Sequence, residues 1–325
     1  MENKRPWIYL TATFPKVFTE KAFLYLVSTK KKDFLEITRD KSLFYKIDPQ
    51  PKKSGGFRDI HKPYWRLKFL LKKINKKFLS RLNFPNFVHC GPQGRSIATA
   101  ARGHNKFTHH RSIDVKDFFN SVSKITMSSV LRKIGVNKEI ADILIKAAVE
   151  NNKLPQGFPT SSLLSTLVIS HALQGFYFYV DREEVRLSVY ADDILISSND
   201  ENAIMMAKKY IEEELKKVDL HLNKKEYFAR NGEQFTWLGL QIYPWVTIPR
   251  EKLLALEKVV YEYKMMGIVP VYFKPKKPGN LIEQWEESLK GKAAFARSIS
   301  YNQLANKVLN KLGYVKARKV ISIRG

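Results

Sequence analysis

Cysteine is nearly absent from this chain: Cys90 is the single one in 325 residues, which excludes an intramolecular disulfide and any metal site built on several thiolates. A reducing cytoplasm follows as the expected setting, with Cys90 as a filler of the core. Long apolar runs are missing too. The most hydrophobic stretch, Leu163 to Val180, contains Ser165, Thr166, Ser170, His171 and Gln174, too polar for a membrane-spanning helix. The opening "MENKRPWIYLTATFPK" is broken by charges and prolines, unlike a secretory leader. No repeat or low-complexity tract stands out. Acids are scarce in two regions: residues 51–110 hold fourteen Lys and Arg against Asp59 alone, and residues 290–325 hold nine Lys and Arg and no acid.

The chain therefore carries 57 Lys and Arg against 31 Asp and Glu, a formal net charge of +26, while its hydrophobic fraction of 44% fits a folded core. Such an excess favours a polyanionic partner. Any one run, such as Lys72-Lys73 with Lys76-Lys77, reads equally well as the solvated face of an amphipathic helix. Two basic regions with interleaved aromatics ("KPYWRLKFLLKK", "YFKPKKP") and no apolar anchor point to nucleic acid rather than membrane.

Helical periodicity covers 18–28, and "PKKSGGFRDIHKP" frames a short extended piece at Phe57 to Ile60. Pro63, at a first helical position, opens a basic helix expected to reach about Leu82. A strand over Arg111 to Val115 enters "DVKDFF", followed by helices at 124–134 and 137–150. Thr160, Ser161 or Ser162 caps a long helix into Tyr179. A hairpin is expected at 185–197, a helix at 201–217, a strand at 235–242, and helices beyond Pro249 separated by the linker "FKPKKPGN". Strands clustered in the middle and helices around them define an α+β class.

Asp114 and Asp117 stand at i and i+3 where a strand ends; Asp192 and Asp193 are adjacent in "SVYADDILISS". Neighbours in a strand face opposite ways, so both reach one site only at a tight hairpin. Three gathered carboxylates raise one another's pKa unless a cation neutralises them. Mg²⁺, a hard ion taking oxygen ligands, suits that role. Two such ions stabilise the attacking and leaving oxygens of a phosphoryl displacement. An isolated Asp-Asp pair would read as a solvated turn; its neighbours change that.

"DVKDFF" at 114–119, "LPQG" at 154–157 and "YADD" at 190–193 resemble, in this order, the palm motifs of reverse transcriptases. "FRDIHKP" (57–63) resembles the finger strand of that family, "GPQGRSIATAARGH" (91–104) the segment before the first palm strand, and "FTWLGLQI" (235–242) the primer grip. "LKGKAAFARS" (289–298) is more weakly similar to the thumb. The resemblance implies a right-hand polymerase of fingers, palm and thumb with a ferredoxin-like palm sheet: fingers 1–109, palm 110–248 with finger helices inserted at about 124–153, and a helical thumb at 249–325. It implies two Mg²⁺ ions, with Mn²⁺ as a substitute, held by Asp114, Asp192, Asp193 and the Val115 carbonyl. It places the incoming nucleotide against Arg58, Asp117, Phe118, Phe119 and Gln156, with Phe119 excluding a ribose 2′-OH. Tyr190, Arg95, His104, Trp237 and Gly239 fall at primer or template positions, although Trp237 reads equally as a core anchor.

"QGFPTSS" and Ala101 to His104 are most similar to retron enzymes and their anti-phage relatives. The chain departs from that pattern at Ser162, where a proline is usual, and at "WLGL", where Val-Thr-Gly is usual. It departs again at Glu226 within "HLNKKEYF", which leaves Lys224 and Lys225 as alternatives for proton donor to pyrophosphate. His109 and His110, with no thiol or carboxylate pair to complete a site, read as surface or RNA-facing. The implied partners are a structured non-coding RNA serving as template and primer, the RNA–DNA hybrid, deoxynucleoside triphosphates and an effector protein, with no membrane. Two other classes share the basic faces: a template-independent defence polymerase, and a non-catalytic RNA-binding or splicing-helper protein that would not need the three acids.

Overall fold

The computed structural model describes residues 19–52, 55–176, 185–266 and 281–299. The opening segment, the linker "FKPKKPGN", the helix end near Tyr179 and the basic run beyond residue 299 lie outside them. The chain divides into two compact units, 1–233 and 234–325.

In the first unit, α1 (Glu20–Leu26) and α2 (Lys31–Arg39) precede an antiparallel hairpin of β1 (Tyr45–Pro51) and β2 (Phe57–Pro63), in register from Tyr45 opposite Pro63 to Pro51 opposite Phe57. Pro63 thus closes a strand rather than opening a helix. The basic helix α3 (Trp65–Lys77) starts two residues later and buries Leu67, Leu70, Leu71 and Ile74. The short α4 (Ile97–Ala101) begins with a reciprocal Ser96–Thr99 capping box. After it come β3 (His109–Asp114), α5 (Phe118–Ser121), α6 (Lys124–Lys133), α7 (Lys138–Ala148) and α8 (Ser161–Ala172). Then β4 (Arg186–Tyr190), β5 (Asp193–Ser198), α9 (Glu201–Lys216) and β6 (Tyr227–Ala229) complete the unit.

These strands form a four-stranded antiparallel sheet in the order β4-β5-β3-β6. Ile113, Ile194, Ile196, Leu187 and Val189 are buried in one core with Ile204 and Ile211 of α9 and Leu164 and Leu167 of α8. Nearly all of α8 is buried, polar residues included. Two of its hydroxyls are satisfied within the helix, Ser170 Oγ donating to the Thr166 carbonyl at 2.6 Å and Ser165 Oγ to that of Ser162 at 3.1 Å, while Ser161 Oγ donates to the Pro155 carbonyl at 2.7 Å. Among the described residues no helix is long and apolar enough to cross a membrane.

In the second unit, 235–242 is a hairpin rather than one strand. β7 (Phe235–Trp237) and β8 (Leu240–Tyr243) flank a two-residue turn in which Leu238 and Gly239 both have positive φ, 50° and 80°. Two helices, α10 (Arg250–Met266) and α11 (Leu281–Ile299), share a small core of Val260, Trp285, Leu289 and Ala293.

Candidate active site

Asp114 ends β3 and stands directly opposite Asp193, the first residue of β5. Opposed residues share a face of the sheet, with Cβ atoms about 4.5–5.5 Å apart. Asp192 lies in the turn of the β4–β5 hairpin, where Tyr190 pairs with Asp193 and Ala191 takes a left-handed φ of 56°. That turn resolves the conflict between adjacency and a common site. The Val115 amide donates to the Asp192 carbonyl at 2.9 Å, tying the end of β3 to the turn.

All three carboxyls are half-buried, and burial is the main reason each has a raised pKa; Asp193 is pushed up to about 7, with Asp192 and Asp114 adding to the effect. Asp114 also raises Asp192, while the Arg58 guanidinium opposes the shift. Among the described residues no three His, Cys, Asp or Glu side chains are drawn together as a finished metal cage. The donor set itself fits a hard divalent cation: three carboxylates with mutual repulsion, in a partly desolvated site.

Asn223 is a member that the sequence reading did not assign. Its side-chain amide donates to Asp114 Oδ2 at 3.2 Å, and its backbone amide donates to the Asp114 carbonyl at 2.7 Å. An asparagine in a loop gives no signal by itself. Lys52 was also unassigned, and its ammonium stands 3.6 Å from Asp117.

Of the nucleotide-side candidates, Arg58 and Gln156 are held on joined segments. Arg58 is on β2, whose His61 amide donates to the Gln156 carbonyl at 2.7 Å. At Gly157, with φ of 106°, a Cβ would meet the His61 carbonyl oxygen at 2.5 Å, so glycine permits this approach. Asp117 takes a left-handed conformation before α5; Phe118 is buried in the core and Phe119, with its ring centroid 5.6 Å from that of Phe118, is half-exposed.

The primer and template candidates divide. Tyr190 is half-buried next to the carboxylates, and burial raises its phenol. Cys90 is close enough to affect Tyr190 and lies 3.5 Å from Ser162 Oγ, half-exposed rather than a core filler. The Arg95 guanidinium donates to the carbonyls of Phe84, Pro85 and Val88, stapling a loop instead of facing a template. His104 is 0% exposed, with Nδ1 at 2.7 Å from Ser197 Oγ and Nε2 at 2.9 Å from Ser188 Oγ. His110, expected at the surface, is equally buried, its Nδ1 2.8 Å from the same Ser197 hydroxyl. The registers put His110, Ser188 and Ser197 on the face that carries Asp114 and Asp193, toward the other end of the sheet. His109 is half-exposed against Thr108. In the second unit Trp237 is buried, as a core anchor would be, and Gly239 occupies the hairpin turn. Glu226 pairs with Arg111 at 3.4 Å and Lys208 at 2.8 Å.

An antiparallel sheet presenting two acids on facing strand ends and a third in the adjoining turn is the signature of a palm-type polymerase. The family model described as reverse transcriptase (RNA-dependent DNA polymerase) matches residues 50–242. The chain belongs to this family, whose members use divalent metal ions, and its α+β fold is that of a right-hand polymerase. Retron Se72 reverse transcriptase of Salmonella heidelberg (strain 579083-10) is 27% identical over 165 residues, covering 50% of this chain and 44% of the relative. Retron Ec86 reverse transcriptase of Escherichia coli is 27% identical over 169 residues, covering 52% and 53%. The chain thus spans about half the length of these relatives. Among solved structures, telomerase from Candida albicans with a fragment of telomeric RNA aligns at a TM-score of 0.48 and 11% identity, covering 91% of this chain and 64% of that one.

Proposed function

We propose that this chain is an RNA-directed DNA polymerase of the retron type that copies a dedicated structured RNA, serving as template and primer, into DNA in the cytoplasm. The observation carrying the proposal is the facing pair Asp114 and Asp193, with Asp192 in the adjoining turn and Arg58 within Coulombic reach of it. In this reading the fingers are residues 1–109, the palm 110–248 and the thumb 249–325. Asp114, Asp192, Asp193 and the Val115 carbonyl hold two Mg²⁺ ions, and Mn²⁺ substitutes. When bound, the metals supply charge neutralisation at the attacking and leaving oxygens.

The chain's own residues then bind and orient. Arg58 takes the triphosphate with its forked donors, the amides of Asp117 and Phe118 support it, and Gln156 contacts the nucleotide from the loop bonded to β2. Phe119 fills the space of a 2′-OH, and Tyr190 meets the primer end. Arg95, His104 and Trp237 act from inside the fold as positioning residues. The partners are the RNA, its RNA–DNA hybrid, deoxynucleoside triphosphates and, in a defence role, an effector protein.

The test is to sequence the nucleic acid co-purifying with the native-locus protein and with its D192N/D193N variant. DNA complementary to a bound RNA, present only with the wild type, is the expected result. Equal RNA in both with no DNA overturns the proposal in favour of an RNA-binding role, and DNA matching no RNA overturns templated synthesis.

A further inference from the structure

The outward face of α3 plays no part in the site described above. Its buried residues, Leu67, Leu70, Leu71 and Ile74, dock it on the core. At 100° per residue, the opposite face gathers Trp65, Lys68, Phe69, Lys72, Lys73 and Lys76. Trp65 is 76% exposed and Phe69 58%. The two rings stand one turn apart on the face opposite the buried stripe, so they form a shared exposed patch rather than single stray residues. The Lys73 ammonium lies 4.5 Å from the centroid of the Phe69 ring and also donates to the Ser28 carbonyl at 2.5 Å, so a backbone-held cation backs this ring.

The surroundings select the occupant. Residues 60–113 contain twelve Lys and Arg and no acid, so the surface complements a polyanion. A membrane would need a continuous apolar face, whereas here lysines separate the two rings. A duplex buries its base faces; unpaired bases offer them for stacking. Trp65 and Phe69 lie one turn apart, about 6 Å along the axis, roughly the advance of two stacked nucleotides at about 3.4 Å each. Lys68, Lys72 and Lys76 repeat at one-turn spacing alongside.

We infer that the outer face of α3 is a stacking platform for single-stranded RNA, taking the still unpaired template between Trp65 and Phe69 outside the catalytic cleft. The inference rests on the RNA-copying reading above. Strand β2 and the Tyr64 cap carry the chain from Arg58 to Trp65 in seven residues, at most about 23 Å at strand rise, so the platform lies within about seven nucleotides of template from the triphosphate.

The experiment measures binding of the full chain to an RNA–DNA primer-template with 0, 4, 8 or 12 unpaired template nucleotides, comparing wild type with W65A/F69A and W65F/F69Y. In the wild type, affinity should rise between 4 and 8 nucleotides. W65A/F69A should lose about tenfold to a hundredfold of that rise with blunt-duplex affinity unchanged, and W65F/F69Y should retain it. A K68Q/K72Q/K76Q variant, which leaves the rings in place, should flatten the log-log salt dependence by about 2. An overhang effect equal in wild type and W65A/F69A overturns the platform, as does a loss equal on blunt duplex or a loss confined to anionic vesicles. Primer extension with the same substrates separates the two readings. Overhang-dependent binding without templated product fails the polymerase reading alone; templated product with ring-independent binding fails the platform alone.

Discussion

Phe119 shows what a single residue can be asked to do. Its ring packs beside buried Phe118 and remains half-exposed, and the proposed reading makes it a wall against the sugar. Replacing Phe119 with alanine should raise ribonucleotide incorporation relative to deoxynucleotide by roughly tenfold to a hundredfold, measured as the ratio of kcat/KM values; an unchanged ratio would remove the steric role. That the aspartates would meet was legible from the motifs they stand in and from the tight hairpin an adjacent pair needs to reach one site. Arg95 and His104 were not, since a sequence names donors without naming the carbonyls or hydroxyls they will meet. Asn223 was missed for the same reason: its value lies in a contact 109 residues away.

At the scale of elements, the hairpin β1–β2 and the loop before α8 meet at Gly157. Positive φ and the closeness of the His61 carbonyl both act against a side chain there. Gly157→Ala should cost about 1–3 kcal/mol, read as a lowered urea midpoint, and should weaken nucleotide binding by displacing Gln156. Periodicity found α6, α7 and α9 almost to the residue, because each alternates buried and solvated faces at the helical repeat. It misplaced the start of α3, because a proline suits a strand end as well as a first helical turn, and cross-strand pairing of Pro63 with Tyr45 is invisible in sequence. It also merged β7 and β8, since Leu238 is an unusual residue for a left-handed turn.

At the scale of the whole molecule, the buried histidines set an acid limit on stability. Burial holds the imidazoles of His89 and His110 down to about 4, against about 6.5 in an unfolded chain. Between those values the unfolded chain binds more protons. Their contribution is therefore full above about pH 6.5 and is lost as the pH falls toward 4. Denaturation midpoints at pH 7.5 and 5 should show the lower stability at pH 5, and H110N should reduce the difference. The net charge of +26 reads in the sequence as an attraction for a polyanion, whereas the alignment of Lys68, Lys72 and Lys76 beside the exposed rings of α3 required the fold.

The hydroxyl and imidazole cluster on the carboxylate face has one more consequence. Because its rings stay neutral well below pH 7, the imidazoles at that end of the sheet add no charge across the neutral range, and the fixed charge there is the Arg186 guanidinium opposite Ser197. Among the three aspartates, the cation that acts from the hairpin side is Arg58, at Asp192, while Lys52 pairs with the neighbouring Asp117.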